Sequence, residues 1–456
     1  MPYLRGTEFA LPLLAVVLAV ATTVAYGPEM AHFGDATDYA GAAVSLLNDG
    51  SYPRQSSLPF FRAPLYPLLI AAIWRVAPLG SYAAIKVVQA ALFGMTCWLL
   101  FRIGLKVTGD RGAAGLGTLV YAINPFALLQ TAEIQSETLH TTLLAAGVLL
   151  LTVSLYQRSP ATAAAFGGGF AFGLAALCRP TALPVGLALA LCALARGGAF
   201  LKRLLQAVAV ILGIATAVLP WTYCNWNTTG EPIIISDALG YHLWLGNHPA
   251  ELRIYEGRFR DRREFNEYSY NYLQQALPAA MIAGWEESGG YSALSLMQRE
   301  RRWRSAAIAT MRAEPLLTLT LWADKTWAFW RPWLRPTAYS PFAVLGSGVA
   351  VSLLYVLAAA GAYSWSRDVE RKRFLLILGV LFATSTLVHT VTHVMIRFRL
   401  PYVDPYLSML AGSALVTLTK VMPCPRRPSN QGMQPTRNKP RSSLSTSYKA
   451  TPSRVY

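Results

Sequence analysis

The chain has 456 residues, of which 54% are hydrophobic and only 14% charged, well under the ~25% charge of an ordinary soluble domain. Together with a mean hydropathy of +0.35, this predicts an all-α polytopic membrane protein. Five cysteines, scattered and mostly inside apolar runs, exclude a disulfide framework and a thiolate metal cluster. The net charge of +17 does not indicate nucleic acid. Eight of the 40 Lys and Arg lie in the acid-free tail from Lys420 to Tyr456, and many others form short clusters between apolar spans, where a membrane protein marks its cytoplasmic side.

In chain order, the spanning candidates are 9–26, 81–101, 112–132, 138–156, 162–178, 181–195, 204–222, 340–363, 374–393 and 400–419. The first is too long and apolar for a cleaved signal core and reads as a retained helix. Two further apolar stretches, 64–78 and 316–330, compete for the same status. The first holds two prolines in a modest run, and the second carries Asp324 and Lys325 in its middle, which is costly in hydrocarbon.

Charge parity chooses between these options. If neither stretch crosses, Arg5, Arg102, Lys106, Arg111, Arg158, the Arg196/Lys202/Arg203 group, Arg367 with Arg371–Arg373, and the tail all share one side. The positive-inside rule therefore predicts about ten crossings with both termini cytoplasmic. Residues 1–222 then form a transmembrane module whose first external loop is 27–80. Residues 223–339 form a small external cap, 340–420 the C-terminal transmembrane helices, and 421–456 a disordered basic cytoplasmic tail.

On this topology the ionisable residues beside the spans gather at the outer interface: Asp35, Asp38, Arg62, Glu133, Glu137, His140, Arg179, His389, His393, Arg397 and Arg399. Each alone has a plain explanation in solvation or helix-end snorkelling. Glu137 and His140 stand three residues apart at the start of one helix, hence on one face. Guanidinium forks suit a phosphate at headgroup depth, and a carboxylate suits a base that takes a hydroxyl's proton. That combination fits transfer of a group from a lipid-linked phosphate to a hydroxyl.

The stretches GDATDYAGAAVSLLNDG, FRAPLYPLL, YAINPFALLQTAEIQSETL, LCRPTALPVG, LPWTYCNWNTTGEPI with YHLWLGNHP, and RFRLPYVDPYLSMLAG run in this order over most of residues 9–420. Their order resembles the GT-C class of membrane glycosyltransferases, closest to the family-39 branch with the protein O-mannosyltransferases and the lipid A aminoarabinose transferase. The resemblance implies a GT-C helical bundle with surface-lying helices in the first external loop, in the bacterial inner membrane, with its active site on the non-cytoplasmic face. It implies Asp35 as catalytic base or orienting residue, with Tyr39 following it, and Glu137 as the second acid. Arg62, Arg179, Arg397 and Arg399 are implied contacts of the donor phosphate; Asp38, Tyr39, Tyr66 and His140 are the candidate accessory residues beside them.

The implied donor is a polyprenyl-phosphate sugar and the reaction a single inverting displacement onto a hydroxyl of a protein, glycolipid or polysaccharide. Relatives often carry Asp-Glu in the first loop, where this chain has Asp35-Ala36. Phe61 stands where an acidic metal ligand would precede the cation, so no metal site is expected. A lipid-linked-substrate flippase and a polysaccharide polymerase or ligase are the competing readings. A transporter would place its charges near the midplane, where this chain has almost none.

Overall fold

The computed structural model describes residues 6–31, 35–54, 60–156, 162–192, 194, 199–257 and 259–421, and every regular element among them is helical. The first half holds α1 (Thr7–Tyr26), α2 (Asp35–Asp49), α3 (Leu65–Trp74), α4 (Tyr82–Thr108), α5 (Arg111–Ala122), α6 (Pro125–Thr131), α7 (Glu137–Tyr156), α8 (Thr162–Cys178), α9 (Ala182–Cys192) and α10 (Phe200–Thr229). Shorter helices follow: α11 (Leu239–Asn247), α12 (Leu252–Glu256), α13 (Arg262–Asn266), α14 (Leu277–Gly289), α15 (Leu296–Ala313) and α16 (Pro315–Trp330). The chain closes with α17 (Pro341–Ser366), α18 (Val369–Val391) and α19 (Asp404–Val421).

Six of these helices, α1, α4, α7, α10, α17 and α18, are long and apolar enough to cross a bilayer. The expected span 112–132 is instead two helices, α5 and α6, bent by 59° to one another. The cause is local. Pro125 has no N–H to continue α5, and the Asn124 side chain caps α6 by accepting from Phe126 and Ala127. Helices α8 and α9 are shorter apolar elements. The competing stretch 64–78 contains only the ten-residue α3, ~15 Å at 1.5 Å per residue, against a hydrocarbon core of ~30 Å. The 316–330 stretch becomes α16, whose Lys325 is fully buried in protein. The basic tail beyond residue 421, Arg5, Arg158 and Arg196 lie outside the described residues.

The apolar helices pack through small residues, as they must where lipid gives no hydrophobic drive. A Cβ on Gly169 would lie 2.0 Å from the Val210 carbonyl oxygen, and one on Gly213 would lie 2.1 Å from that of Phe166. The α8–α10 crossing is therefore fixed by glycine. Similar contacts join α5 to α19, α7 to α8 and α17 to α19. Helices α11 to α15 gather around an aromatic core of Tyr241, Trp244 and Trp303, into which Phe60 reaches from the segment before α3.

Candidate functional site: an alternating ion network

The site begins with α2. Its buried face, Ala36, Tyr39 and Ala43, packs on Tyr66, Ile70 and Trp74 of α3, with the Tyr39 and Tyr66 rings edge to face at 4.9 Å. That packing fixes Asp35 and Asp38, one turn apart in the first turn of α2, toward the segment entering α3. Arg62 on that segment is pinned from both sides. The Phe61 N–H donates to Asp237 at 3.0 Å, and the Tyr52 hydroxyl donates to the Arg62 carbonyl at 2.8 Å. Its guanidinium, flanked by the Tyr39 and Phe60 rings, donates to Asp35 at 2.8 Å and Asp38 at 2.7 Å.

A second cation arrives from the far end of the chain. Arg397, on the 3₁₀ turn Ile396–Arg399 between α18 and α19, donates to the other oxygen of Asp35 at 2.8 Å. Its Nε lies 3.5 Å from Glu137 Oε1 at the head of α7. Arg179, at the α8–α9 break, lies 2.7 Å from the same Glu137 oxygen and over the Phe398 ring at 4.6 Å. The order Asp38, Arg62, Asp35, Arg397, Glu137, Arg179 thus alternates in sign and balances to zero. Burial works against the Asp35 carboxylate, but Arg62 and Arg397 outweigh it and hold the group well below the usual carboxylate range.

Not every candidate joins this network. Arg399 points the other way, with its guanidinium on Asp404 at 2.8 Å, on the Tyr355 hydroxyl and on the Arg331 carbonyl. It is 1% exposed and braces α19 against α16 and α17. His140 is also turned inward: Nδ1 meets the Ala175 carbonyl at 3.1 Å and Nε2 the Tyr402 hydroxyl at 2.8 Å. The Tyr66 hydroxyl donates to Gln89 at 2.6 Å, behind α3. Tyr39 is the accessory residue at the cluster, its ring against Arg62 and its hydroxyl 3.4 Å from Ser136.

Sequence reasoning did not single out Asp237, Glu251 or His242. Asp237 is 3% exposed, and burial pushes its carboxyl up to about 6. His242, on α11, packs on Phe60 at 4.9 Å. Burial first, with the Arg62 and Arg179 guanidiniums nearby, lowers it to about 3, so it is a neutral imidazole beside the network. No group of three or more His, Cys, Asp or Glu suited to a metal ion occurs among the described residues. The place where a cation would bridge Asp35 and Asp38 is taken by the Arg62 guanidinium.

No protein-family model and no curated protein matches the sequence. Solved structures of the oligosaccharyltransferase of the archaeon Archaeoglobus fulgidus do resemble this one. The apo form matches at TM-score 0.55 and 12% identity, over 91% of this chain and 51% of that one. The form tethered to an acceptor peptide matches at 0.55 and 12%, over 91% and 50%. The complex with an inhibitory peptide and a dolichol-phosphate matches at 0.53 and 13%, over 91% and 50%. This chain spans about half the length of that protein, and the likeness is one of fold.

Proposed function

We propose that this chain is a membrane glycosyltransferase that moves a sugar from a polyprenyl-phosphate donor to an acceptor hydroxyl on the non-cytoplasmic face. The observation that carries the reading is the meeting of Arg62, Arg179 and Arg397 with Asp35 and Glu137 in one ion network. Segments more than three hundred residues apart converge there, at the head of α7 and the tail of α8. A likeness of fold to an oligosaccharyltransferase that binds dolichol-phosphate in one of its structures supports a lipid-phosphate donor.

The reaction is a single inverting displacement. The donor phosphate sits on Arg62, Arg179 and Arg397, which stabilise the leaving oxyanion as the anomeric bond breaks. Asp35, with Glu137 behind Arg397, is the carboxylate that orients or deprotonates the acceptor hydroxyl. Arg399 keeps its bracing role. The cap carries His242, which packs on Phe60 of the segment before α3, beside Arg62. On the charge-parity topology, with about ten crossings and cytoplasmic termini, this rim lies outside and α3 and α16 run along the membrane surface.

The test is reconstitution of the full-length protein with a panel of polyprenyl-phosphate sugars, following release of polyprenyl phosphate. Consumption of at least one donor is expected. A protein that releases none but moves the donors between leaflets is a flippase, and the reading fails.

A further inference from the structure

We propose that His393 is the group that removes the acceptor's proton, with Glu251 as its positioning residue, while Asp35 orients the hydroxyl without taking its proton. The proposal rests on the transfer reaction above and settles which group in that site acts as base.

Asp35 is badly placed to be the base. Each of its oxygens receives a guanidinium N–H at 2.8 Å. A carboxylate paired this way is stabilised as the anion and has little affinity for a proton. An efficient general base has a proton affinity matched to the working pH, which imidazole has by nature.

His393 is held as such a base would be. It lies just beyond α18, four residues before Arg397. Its Nδ1 is buried and makes no hydrogen bond. Glu251 Oε1, on a carboxylate 2% exposed, stands 3.6 Å away. A carboxylate facing Nδ1 favours the tautomer with the proton on that nitrogen and leaves Nε2 with a lone pair. The side chain as a whole keeps 16% exposure. Contacts between carboxylate and imidazole are often longer before substrate binds.

The backbone beneath His393 is fixed. Lys325 donates to the carbonyls of Thr392 and Gly246 at 3.0 and 2.7 Å, and Asn247 donates to that of Val391 at 2.8 Å. A Cβ on Gly246 would fall 1.6 Å from the Thr392 oxygen, so α11 presses directly on the turn. His393 and the ion network share one neighbour, Phe398. The Phe398 ring, 6.3 Å from His393, carries the Arg179 and Arg397 guanidiniums at 4.6 and 5.5 Å. His242, on α11, has Arg62, Arg179, Asp35 and His393 as its titratable neighbours. Besides Glu251 and His242, the groups around His393 are His389 one turn back on α18, Arg179, and Lys325 and Tyr255 beyond Glu251.

In the step, the acceptor O–H bond breaks and its electron pair forms the bond to the anomeric carbon. The anomeric C–O bond breaks with its pair leaving on the phosphate. The proton passes to His393 Nε2 and from there to water.

The experiment measures polyprenyl-phosphate release by the reconstituted full-length protein and its His393→Asn and Glu251→Gln variants between pH 5.5 and 8.5. The donor panel is that above, and lipid extract of the expressing cells or water serves as acceptor. Wild-type release should fall on the acid side. His393→Asn should lose 10²- to 10⁴-fold, the usual contribution of a general base, together with the acid limb, while retaining labelled donor as well as wild type. Glu251→Gln should move the limb to lower pH, because the imidazolium loses its counter-charge. If His393→Asn does not fold, the Glu251→Gln limb decides. A folded His393→Asn within threefold of wild type with the same limb, or a Glu251→Gln limb that does not move, overturns the assignment alone. A wild-type protein that consumes no donor overturns the transfer reading and this assignment with it.

Discussion

Arg62 and Arg179 each hold carboxylates in the same network, yet their removal should have unequal costs. Arg179→Gln leaves Glu137, whose side chain is 3% exposed, with only Arg397 Nε at 3.5 Å. Breaking a buried pair from one side costs ~3–5 kcal/mol, because the remaining charge is neither paired nor hydrated. The lower end, about 3 kcal/mol, applies here, since Arg397 gives partial relief. Arg62→Gln leaves Asp35 still bound by Arg397 at 2.8 Å and Asp38 with a side chain 19% exposed. Water reaches the second, so about 1–2 kcal/mol is expected. The double variant Arg179→Gln/Glu137→Gln removes the stranded charge with its partner and should recover ~1–3 kcal/mol of the single loss. Unfolding in detergent by SDS titration, read by tryptophan fluorescence at constant protein, ranks the variants. Equal losses for Arg62→Gln and Arg179→Gln, or a double variant no more stable than Arg179→Gln, would refute the reasoning.

Asp35→Asn should abolish sugar transfer while leaving expression and insertion intact; normal turnover in the reconstituted assay removes its role. Arg62→Ala should raise the KM for the donor more than that for the acceptor, and equal shifts count against phosphate contact. Asp237, pushed up to about 6 by burial, binds its proton more tightly in the native state. Stability should therefore fall as pH rises from ~4 to ~6. Asp237→Asn keeps an acceptor for the Phe61 N–H and should be flat there, gaining about 1–3 kcal/mol at pH 7.5; a thermal-unfolding series at pH 4.5, 6 and 7.5 decides. Lys325, lowered to about 7 by burial against the pull of Glu251, is neutral in the native state above that pH and charged when unfolded up to ~10.4. Native stability should rise between pH 7 and 10 by at most ~1.4 kcal/mol per pH unit, and Lys325→Met should lose that rise. An unchanged slope in the variant sends the effect to another group.

Much of this arrangement was legible because charge beside a membrane helix is expensive and therefore sparse. Asp35, Asp38, Arg62, Glu137, Arg179 and Arg397 stand out against apolar sequence, and folding brings them together. The structure turns Arg399 away from the cluster for a geometric reason. With three residues per turn in a 3₁₀ helix, positions two apart point in different directions, so Arg397 and Arg399 on Ile396–Arg399 serve different neighbours. His140 shares a face with Glu137, but it lies ~4.5 Å deeper along α7, at the level of Ala175 and Tyr402. The Asn124-Pro125 pair is a turn-initiating signal, and it breaks the span expected over 112–132 into α5 and α6. Asp237, Glu251 and His242 carried no such signal. Asp237 and His242 are single polar residues in the largely apolar run 232–246, and Glu251 is one acid in a polar turn; only the folding of this region back beside Arg62 and His393 gives each a neighbour worth reading.

The balance of charge in the network bears on the proposed reaction. A lipid phosphodiester donor brings about one negative charge, whereas the product phosphomonoester carries ~1.5 to 2 near neutral pH. A site with three unopposed guanidiniums would bind the product more tightly than the donor and stall on it. Here every guanidinium has a carboxylate competing for it, at 2.7 to 2.8 Å for Arg62, Arg179 and Arg397. As the phosphate gains charge in the transition state, the arginines can turn toward it. Once the bond has broken, Asp38, Asp35 and Glu137 offer them an alternative partner already in place. The same acids that weaken ground-state binding thus help the product leave, and differential stabilisation of the transition state raises turnover.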